Sequence, residues 1–384
     1  MTKFKIPYSK VSCTGNELKY ITEVIESGWL TTASKARQLE ANVKEFIGAK
    51  HALAVNSCTA GMHLALDAVG VGSGDKVFVT SLTFTASAEV IRYMGADLVL
   101  LDIDYGTRCV TAEILENAIA KNPDVKTIIV VHYAGQASDM HDIKPLCEKH
   151  GITIIEDAAH ALPAKDGDWT VGTIGDITCF SFYANKTMTT AEGGMILTEN
   201  DAYAKRMSVM RLHGIDRDIW DRFTSDKPSW EYDVVAPGYK YNMPDLNAAI
   251  GLAQFERLEE MRLGRERVAR YYDIHLAGIK GIDLPVLRTS YKDHAWHIYS
   301  ACIVSDKISR DDFIAKMSEA GIGTAVHYKP IHHLKYYKET YGFKAEDFPN
   351  AERYWKGAVS LPLFADLTNE ELVHICETIQ EILG

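Results

Sequence analysis

Three groups of residues have the types and spacing to do chemistry. Asn56-Ser57-Cys58-Thr59-Ala60-Gly61 is small and hydroxylic and leads into the helical pattern of Met62, Ala65, Leu66 and Val69. Backbone N–H groups at such a helix start, assisted by the helix dipole, can hold a phosphate. Ser and Thr at that position are also ordinary N-caps. Glu156-Asp157-Ala158-Ala159-His160 closes the apolar run Ile152–Ile155. A carboxylate ending a buried strand needs a partner, since an unpaired buried charge is costly. That partner is either a structural ion pair or cap, or a cationic ring nitrogen. Ser181-Phe182-Tyr183-Ala184-Asn185-Lys186 precedes a Thr- and Gly-rich turn, Thr187–Gly194, and then a second apolar run, Met195–Leu197. Most lysines are solvated, but one enclosed at a sheet end has a lowered pKa and is a candidate Schiff-base nucleophile. A phosphate cradle, an Asp for a ring nitrogen and a Schiff-base Lys, in that chain order, are the three grips that pyridoxal phosphate requires.

These groups need a scaffold that brings them to one edge. Val77–Thr80, Leu98–Asp102, Thr127–His132, Ile152–Asp157 and Ile177–Tyr183 read as short apolar strands. Helical periods such as Ala112–Ala120 and Asp142–His150 separate them. Strands apolar throughout, with helices between, imply an α/β fold with a mostly parallel sheet covered on both faces. Ligands of such sheets bind at the carboxyl ends of the strands. From Asp245 to about Leu276 the sequence reads as one long helix. Beyond Pro285 come strand candidates Ile298–Val304 and Thr324–Tyr328, a helix from Arg310 and a last helix, Asn369–Leu383. Residues 1–250 are expected to form a large cofactor-binding domain and 251–384 a smaller α+β domain. An N-terminal helix is expected to open at Thr14, with Glu17 completing a capping box, and to pack on the smaller domain.

Composition excludes several classes. The 384 residues are 47% hydrophobic and 24% charged, with 41 basic and 52 acidic side chains and a net charge of −11. The apolar fraction is too high for disorder, and the sign is wrong for gripping a nucleic-acid backbone. The seven cysteines are scattered and never form C-x-x-C, which argues against a disulfide framework or a zinc ribbon. The start, MTKFKIPYSK, has no apolar signal region, and no apolar run approaches a membrane span. A cytoplasmic, multi-domain protein is expected, with no nucleic acid or membrane partner.

The blocks EDAAHA, SFYANKTMTTAEGGMI and APGYKYNMPDLNAAIGLAQ resemble the DegT-type nucleotide-sugar aminotransferases, pyridoxal-phosphate enzymes of fold type I. The likeness runs from SGWLTTASKARQLE to SLPLFADLT. VHYAGQASDM, the Ile219–Arg222 stretch and KDHAWHIY most resemble enzymes aminating UDP-4-keto sugars, such as 4-amino-4-deoxy-L-arabinose aminotransferases. SFYANKTMTT is closer to perosamine synthase-like enzymes, so the substrate stays open. The resemblance implies that Lys186 forms the Schiff base and Asp157 pairs with the pyridinium nitrogen. His160 would lie near the ring hydroxyl and Phe84 on the ring face. Thr59 and Ala60 would offer backbone N–H groups to the phosphate, and Ser181 its hydroxyl. Asn242 would reach the phosphate of a second subunit, giving a homodimer with shared active sites. Substrates would be L-glutamate and a nucleotide-linked keto sugar, aminated preferentially at C4. Candidates for sugar contacts are His327, Tyr183, Lys329, Trp29, Arg211 and Arg222, with His213 and Trp220 in the same stretch as the last two.

Lys186 argues against a relative that dehydrates keto sugars, in which a histidine replaces the lysine. A regulatory relative without activity would have broken the Lys186, Asp157 and Asn242 set. An aminotransferase of α-amino acids would ordinarily need an Arg clamp that no motif supplies. His332-His333 and His294-x-x-His297 have metal-like spacings but lack an acidic or Cys partner at a regular interval, so no metal site is expected. Asp102-x-Asp104 reads as a strand end, and Gly70-x-Gly72-x-Gly74 as a loop.

Overall fold

Short apolar segments alternating with helices build the central layer. The computed structural model describes residues 5–216 and 232–384. Twelve strands are present among them: β1 (His51–Val55), β2 (Lys76–Thr80), β3 (Asp97–Leu101), β4 (Thr127–Val131), β5 (Thr153–Asp157), β6 (Lys165–Asp166), β7 (Trp169–Thr170), β8 (Ile177–Ser181), β9 (Gly194–Thr198), β10 (Ile282–Asp283), β11 (Tyr299–Ile303) and β12 (Ala358–Leu361). The main sheet has the order β1-β9-β8-β5-β4-β2-β3. Its β3-β2-β4-β5-β8 part is parallel, and β9 runs antiparallel to both β8 and β1. Every residue of β4 and β9 is buried, as a sheet covered on both faces requires.

One apolar cluster lies on each face of this sheet. One includes Leu39, Phe78, Ile128, Met140 and Phe180; the other includes Leu64, Val79, Ile129, Ile155 and Ile196. Neighbouring strand residues point to opposite faces, which is why Ile128 and Ile129 fall in different clusters. A third cluster gathers Val268, Tyr272, Tyr299, Phe313, Leu361 and Ile375 around the small sheet β10-β11-β12. Ile6 belongs to it and pairs with Gly321 and Gly323 through its backbone.

Several elements differ from the sequence-based expectation. The first helix spans Glu17–Ser27 and does not open at Thr14. Glu17 instead accepts from the Gly15 N–H and from Gln254 Nε2, at 2.8 and 2.5 Å. With Asn16 and Tyr20 both bonded to Glu256, this helix packs along the helix Asp245–Phe255. The segment before it meets the smaller unit as well, at Ile6 and at Tyr8, whose carbonyl accepts the Leu363 N–H. The long helical run is two helices, Asp245–Phe255 and Leu258–Leu276, separated at Glu256 and Arg257. The expected boundary at residue 250 thus falls inside the first of these. Thr324–Tyr328 forms a single bridge, Ala325 to Ser360, in place of a strand. β1 had no counterpart in the expectation.

Three segments that carry polar residues of the cavity meet at Gly135, just past β4. Ala295 and His297 donate their N–H groups to Gly135 O and Ala134 O, at 2.9 and 3.0 Å. Gly135 has φ +102°, and a Cβ there would lie 2.9 Å from His160 O and 3.0 Å from Trp296 N. Gly135→Ala combines backbone strain with overpacking and should cost about 2 kcal/mol or more. The urea midpoint of the purified variant checks this; an unchanged midpoint would contradict the close packing.

Candidate active site

The carboxyl ends of the parallel strands open into a cavity of about 490 Å³. β1, β2, β4, β5 and β8 each deliver a polar group there. Ser57, Cys58 and Thr59 follow β1, Thr83 and Phe84 follow β2, and His132 follows β4. Asp157 ends β5 with His160 just beyond, and Ser181 ends β8 with Tyr183, Asn185 and Lys186 beyond it. From the smaller unit come His297, His327 and Tyr328. The helix Cys58–Ala68 starts at the cavity with Ser57 as its cap.

Asp157 is 5% exposed, and hydrogen bonds offset the burial of its charge. Ser87 Oγ donates to Oδ2 at 2.7 Å and the Ala159 N–H to Oδ1 at 3.1 Å. Behind it, fully buried Glu156 receives Thr178 Oγ1 and the Gly175 N–H, at 2.6 and 2.8 Å. Its other oxygen lies 2.7 Å from His132 Nε2. The Ser138 N–H donates to His132 Nδ1 at 3.0 Å, so the proton of the neutral ring is on Nε2 and points at Glu156.

Burial lowers the pKa of Lys186 to about 8, opposed in part by Asp157 and reinforced by the Arg265 guanidinium. The amine therefore has a neutral fraction of about a tenth at pH 7, far more than an ordinary lysine. Lys186 Nζ lies 3.4 Å from His297 Nε2. Burial and the charge of Lys186 also push His160 and His297 well below the ordinary histidine value, and His327 down to about 4. All three rings are thus neutral at pH 7. Arg265, 5% exposed, reaches backbone carbonyls on both sides of the cavity, those of Asn185 and Lys186 and those of Trp296 and His297.

The cavity gathers Lys186, Asp157, His160, Thr59, Phe84, Ser181, Tyr183 and His327. Other candidates lie elsewhere. Arg211 is bonded to Glu40 Oε1 at 2.6 Å and to Ala54 O at 2.9 Å, away from the cavity lining. Lys329 is exposed, and neither it nor Trp29 lines the cavity. Ala60 is buried outside the lining, and its N–H already donates to Ser57 Oγ at 3.0 Å as the helix cap. Asn242 donates to Thr32 Oγ1 at 2.6 Å and does not line the cavity of its own chain. Arg222 and Trp220 lie outside the described residues.

His132, His297 and Tyr328 are lining residues that the sequence reading does not single out as site candidates. His132 carries a usable signal, as a polar residue closing a buried strand. His297 stands in KDHAWHIY, and Tyr328 follows His327 directly. His332 and His333 do find an acidic partner in Glu352, whose Oε1 both Nε2 atoms approach. The contact ties the turn Ile331–His333 to the helix Pro349–Gly357 through hydrogen bonds.

The donors fit a pyridine ring bearing an aldehyde and a phosphate. A half-buried, partly neutral lysine and a hydrogen-bonded buried carboxylate share one cavity with a capped helix start. Asn185 Oδ1 and His297 Nδ1 are buried in its wall without partners. Such a site on this sheet defines a pyridoxal-phosphate enzyme of fold type I. Residues 12–380 match the DegT/DnrJ/EryC1/StrS aminotransferase family, and the chain belongs to that family. It is 40% identical over 381 residues to the spore coat polysaccharide biosynthesis protein SpsC of Bacillus subtilis, covering 98% of this chain and 97% of that protein. The fold matches the putative sugar aminotransferase Spr1654 from Streptococcus pneumoniae in its PMP form, with TM-score 0.91, 32% identity and coverage of 98% and 99%. That protein is also known in a PLP form. Helicobacter pylori PseC, an aminotransferase of pseudoaminic acid biosynthesis, matches with TM-score 0.90, 26% identity and coverage of 98% and 99%.

A lowered lysine pKa means that the reactive free base is present above about pH 8 and is lost as pH falls through it. Competitive acylation of the apoprotein, read by mass spectrometry, should show Lys186 half-reactive near pH 8. Ordinary lysines follow a midpoint of about 10.4. A Lys186 that titrated with them would contradict the enclosed site.

Proposed function

We propose that this protein moves an amino group from L-glutamate to a keto group, preferentially at C4, of a nucleotide-linked keto-deoxysugar, in two half-reactions of a ping-pong cycle. The observation that carries the proposal is Lys186, half-buried just beyond β8 and lining the same cavity as Asp157. Family membership supports the aminotransferase class, and SpsC, Spr1654 and PseC support a sugar as acceptor.

Pyridoxal phosphate supplies an electron sink and a carrier for the amino group when bound. Lys186 Nζ holds the cofactor covalently at rest. As a free amine it would take the proton from the donor α-carbon and return it on the far side of the transferred nitrogen, a 1,3-shift. Asp157, fixed by Ser87 and the Ala159 N–H, holds the ring nitrogen in its protonated form. Phe84 covers one face of the ring. The start of the helix Cys58–Ala68, with the Thr59 and Ser181 hydroxyls, holds the phosphate.

Among the described residues, Lys186 is the one Lys or Arg in the cavity wall. Further positive or N–H donors for the phosphate and the sugar diphosphate must come from elsewhere. We assign Asn242 of a second subunit to the phosphate, so that the working unit is a homodimer with shared sites, and Arg222 to the diphosphate. His327 is engaged at Nδ1 with Ser360 Oγ at 2.8 Å, which leaves Nε2 for a sugar hydroxyl, with Tyr183 near the rim. We also treat residues 1–250 as the cofactor-binding domain and 251–384 as the smaller domain that closes over it.

Borohydride reduction of the yellow holoenzyme should leave a phosphopyridoxyl group on Lys186, found by peptide mass spectrometry. Lys186→Ala should lose that adduct and at least about 10³-fold in turnover, as removal of a covalent nucleophile implies. With L-glutamate and a panel of UDP-, GDP- and dTDP-linked 4-keto sugars, the native protein should form an amino sugar identifiable by NMR. Turnover of simple keto acids alone would refute the sugar assignment.

A further inference from the structure

The hydrogen bonds of His160 leave it no proton for a ligand. Its Nδ1 accepts the Ala134 N–H at 3.2 Å, so the proton of the neutral ring sits on Nε2. Nε2 lies 3.0 Å from Tyr328 Oη, and with the tautomer fixed His160 must be the donor in that contact. A second ring proton would confront the Ala134 N–H. Burial and the charge of Lys186 disfavour the doubly protonated ring as well.

Tyr328 is left in the opposite condition. Its oxygen accepts from His160, but its own hydroxyl proton has no acceptor among the described residues. Tyr328 lines the cavity with Lys186 and Asp157. Its ring lies 5.7 Å from that of Phe84, which also lines the cavity. Backbone contacts hold the segment: His327 O accepts from Tyr133 Oη and Tyr354 Oη, at 2.5 and 3.3 Å. A fixed phenol with one unused donor at a ligand cavity is a hydrogen bond awaiting an acceptor. Burial raises its pKa well above the ordinary value, so the donor proton is retained.

We propose that Tyr328, not His160, donates the direct hydrogen bond to the cofactor's phenolic oxygen, and that His160 is a positioning residue that fixes the Tyr328 hydroxyl. This rests on the pyridoxal-phosphate assignment of the cavity. Donation to that oxygen stabilises its anionic form and lowers the proton affinity of the adjoining nitrogen of the lysine linkage. The pH titration of the bound cofactor's visible band reads this directly.

Tyr328→Phe should raise the midpoint of that titration by about one pH unit, a tenfold change in proton affinity. It should also release cofactor severalfold more readily. His160→Phe should raise the midpoint by less, and the double variant should match Tyr328→Phe, because both changes act through one hydroxyl. The borohydride-trapped adduct on Lys186 should persist in both single variants. Its absence from the native protein would overturn the cofactor assignment itself. A native midpoint in Tyr328→Phe, or a full shift in His160→Phe with none in Tyr328→Phe, would overturn the role of Tyr328 alone. If Tyr328→Phe does not fold, the size of the shift in His160→Phe decides: a rise clearly smaller than about one pH unit supports the proposal, and a full rise of about one unit or a native midpoint overturns it.

Discussion

Buried Asp157 and half-buried Lys186 share one cavity, and most of the surrounding structure serves to make that tolerable. A carboxylate at 5% exposure is stable only with donors aimed at it, which Ser87 and Ala159 provide. The lysine meets the same burial differently, through a pKa lowered to about 8 that makes the neutral amine accessible. The carboxylate is thereby held by fixed donors, and the amine is allowed to discharge. A ring-nitrogen partner and a Schiff-base lysine need those two conditions.

The second layer is built by the same economy of hydrogen bonds. Glu156, fully buried one residue before Asp157, points to the other face of the sheet and is satisfied by His132, Thr178 and Gly175. Consecutive acidic residues on one strand thus have separate tasks, set by the alternation of a β-strand. His132 and His160 each accept a backbone N–H at Nδ1, which fixes their tautomers without help from a ligand. Arg265 links the Lys186 turn to the Trp296–His297 segment through carbonyls alone. The two halves of the cavity wall are therefore held together by main-chain groups, for which side-chain identity is secondary.

Much of the fold was legible because its strands are apolar throughout and its helices periodic. β2 to β5 and β8 were located within one or two residues, since burial on both faces leaves no polar interruption. The last helix, Asn369–Leu383, has the expected bounds, and in the structure Thr368 and Glu371 form a capping box at its start. Glu17 looked like the same signal, but its carboxylate is drawn to Gly15 and Gln254, a partner 237 positions away. The break at Glu256 and Arg257 interrupts a run whose composition is uniformly helical. Thr324–Tyr328 has strand-like residues but finds one neighbour, Ser360, and so makes a bridge only.

The sequence by itself determined the residue types at the strand ends and their chain order. Local patterning fixes where a strand stops, and a Lys or Asp placed there needs no further information. What the tertiary structure alone decided is which groups share the cavity and which protons they hold. Arg211 is a cation in the sequence, but Glu40 and Ala54 O claim it once the chain is folded. His160 is a potential donor in the sequence, and the Ala134 N–H and Tyr328 settle that its single proton is already engaged. Both outcomes depend on contacts between distant segments, because a hydrogen bond depends on which group lies within about 3 Å and not on the neighbours in the chain.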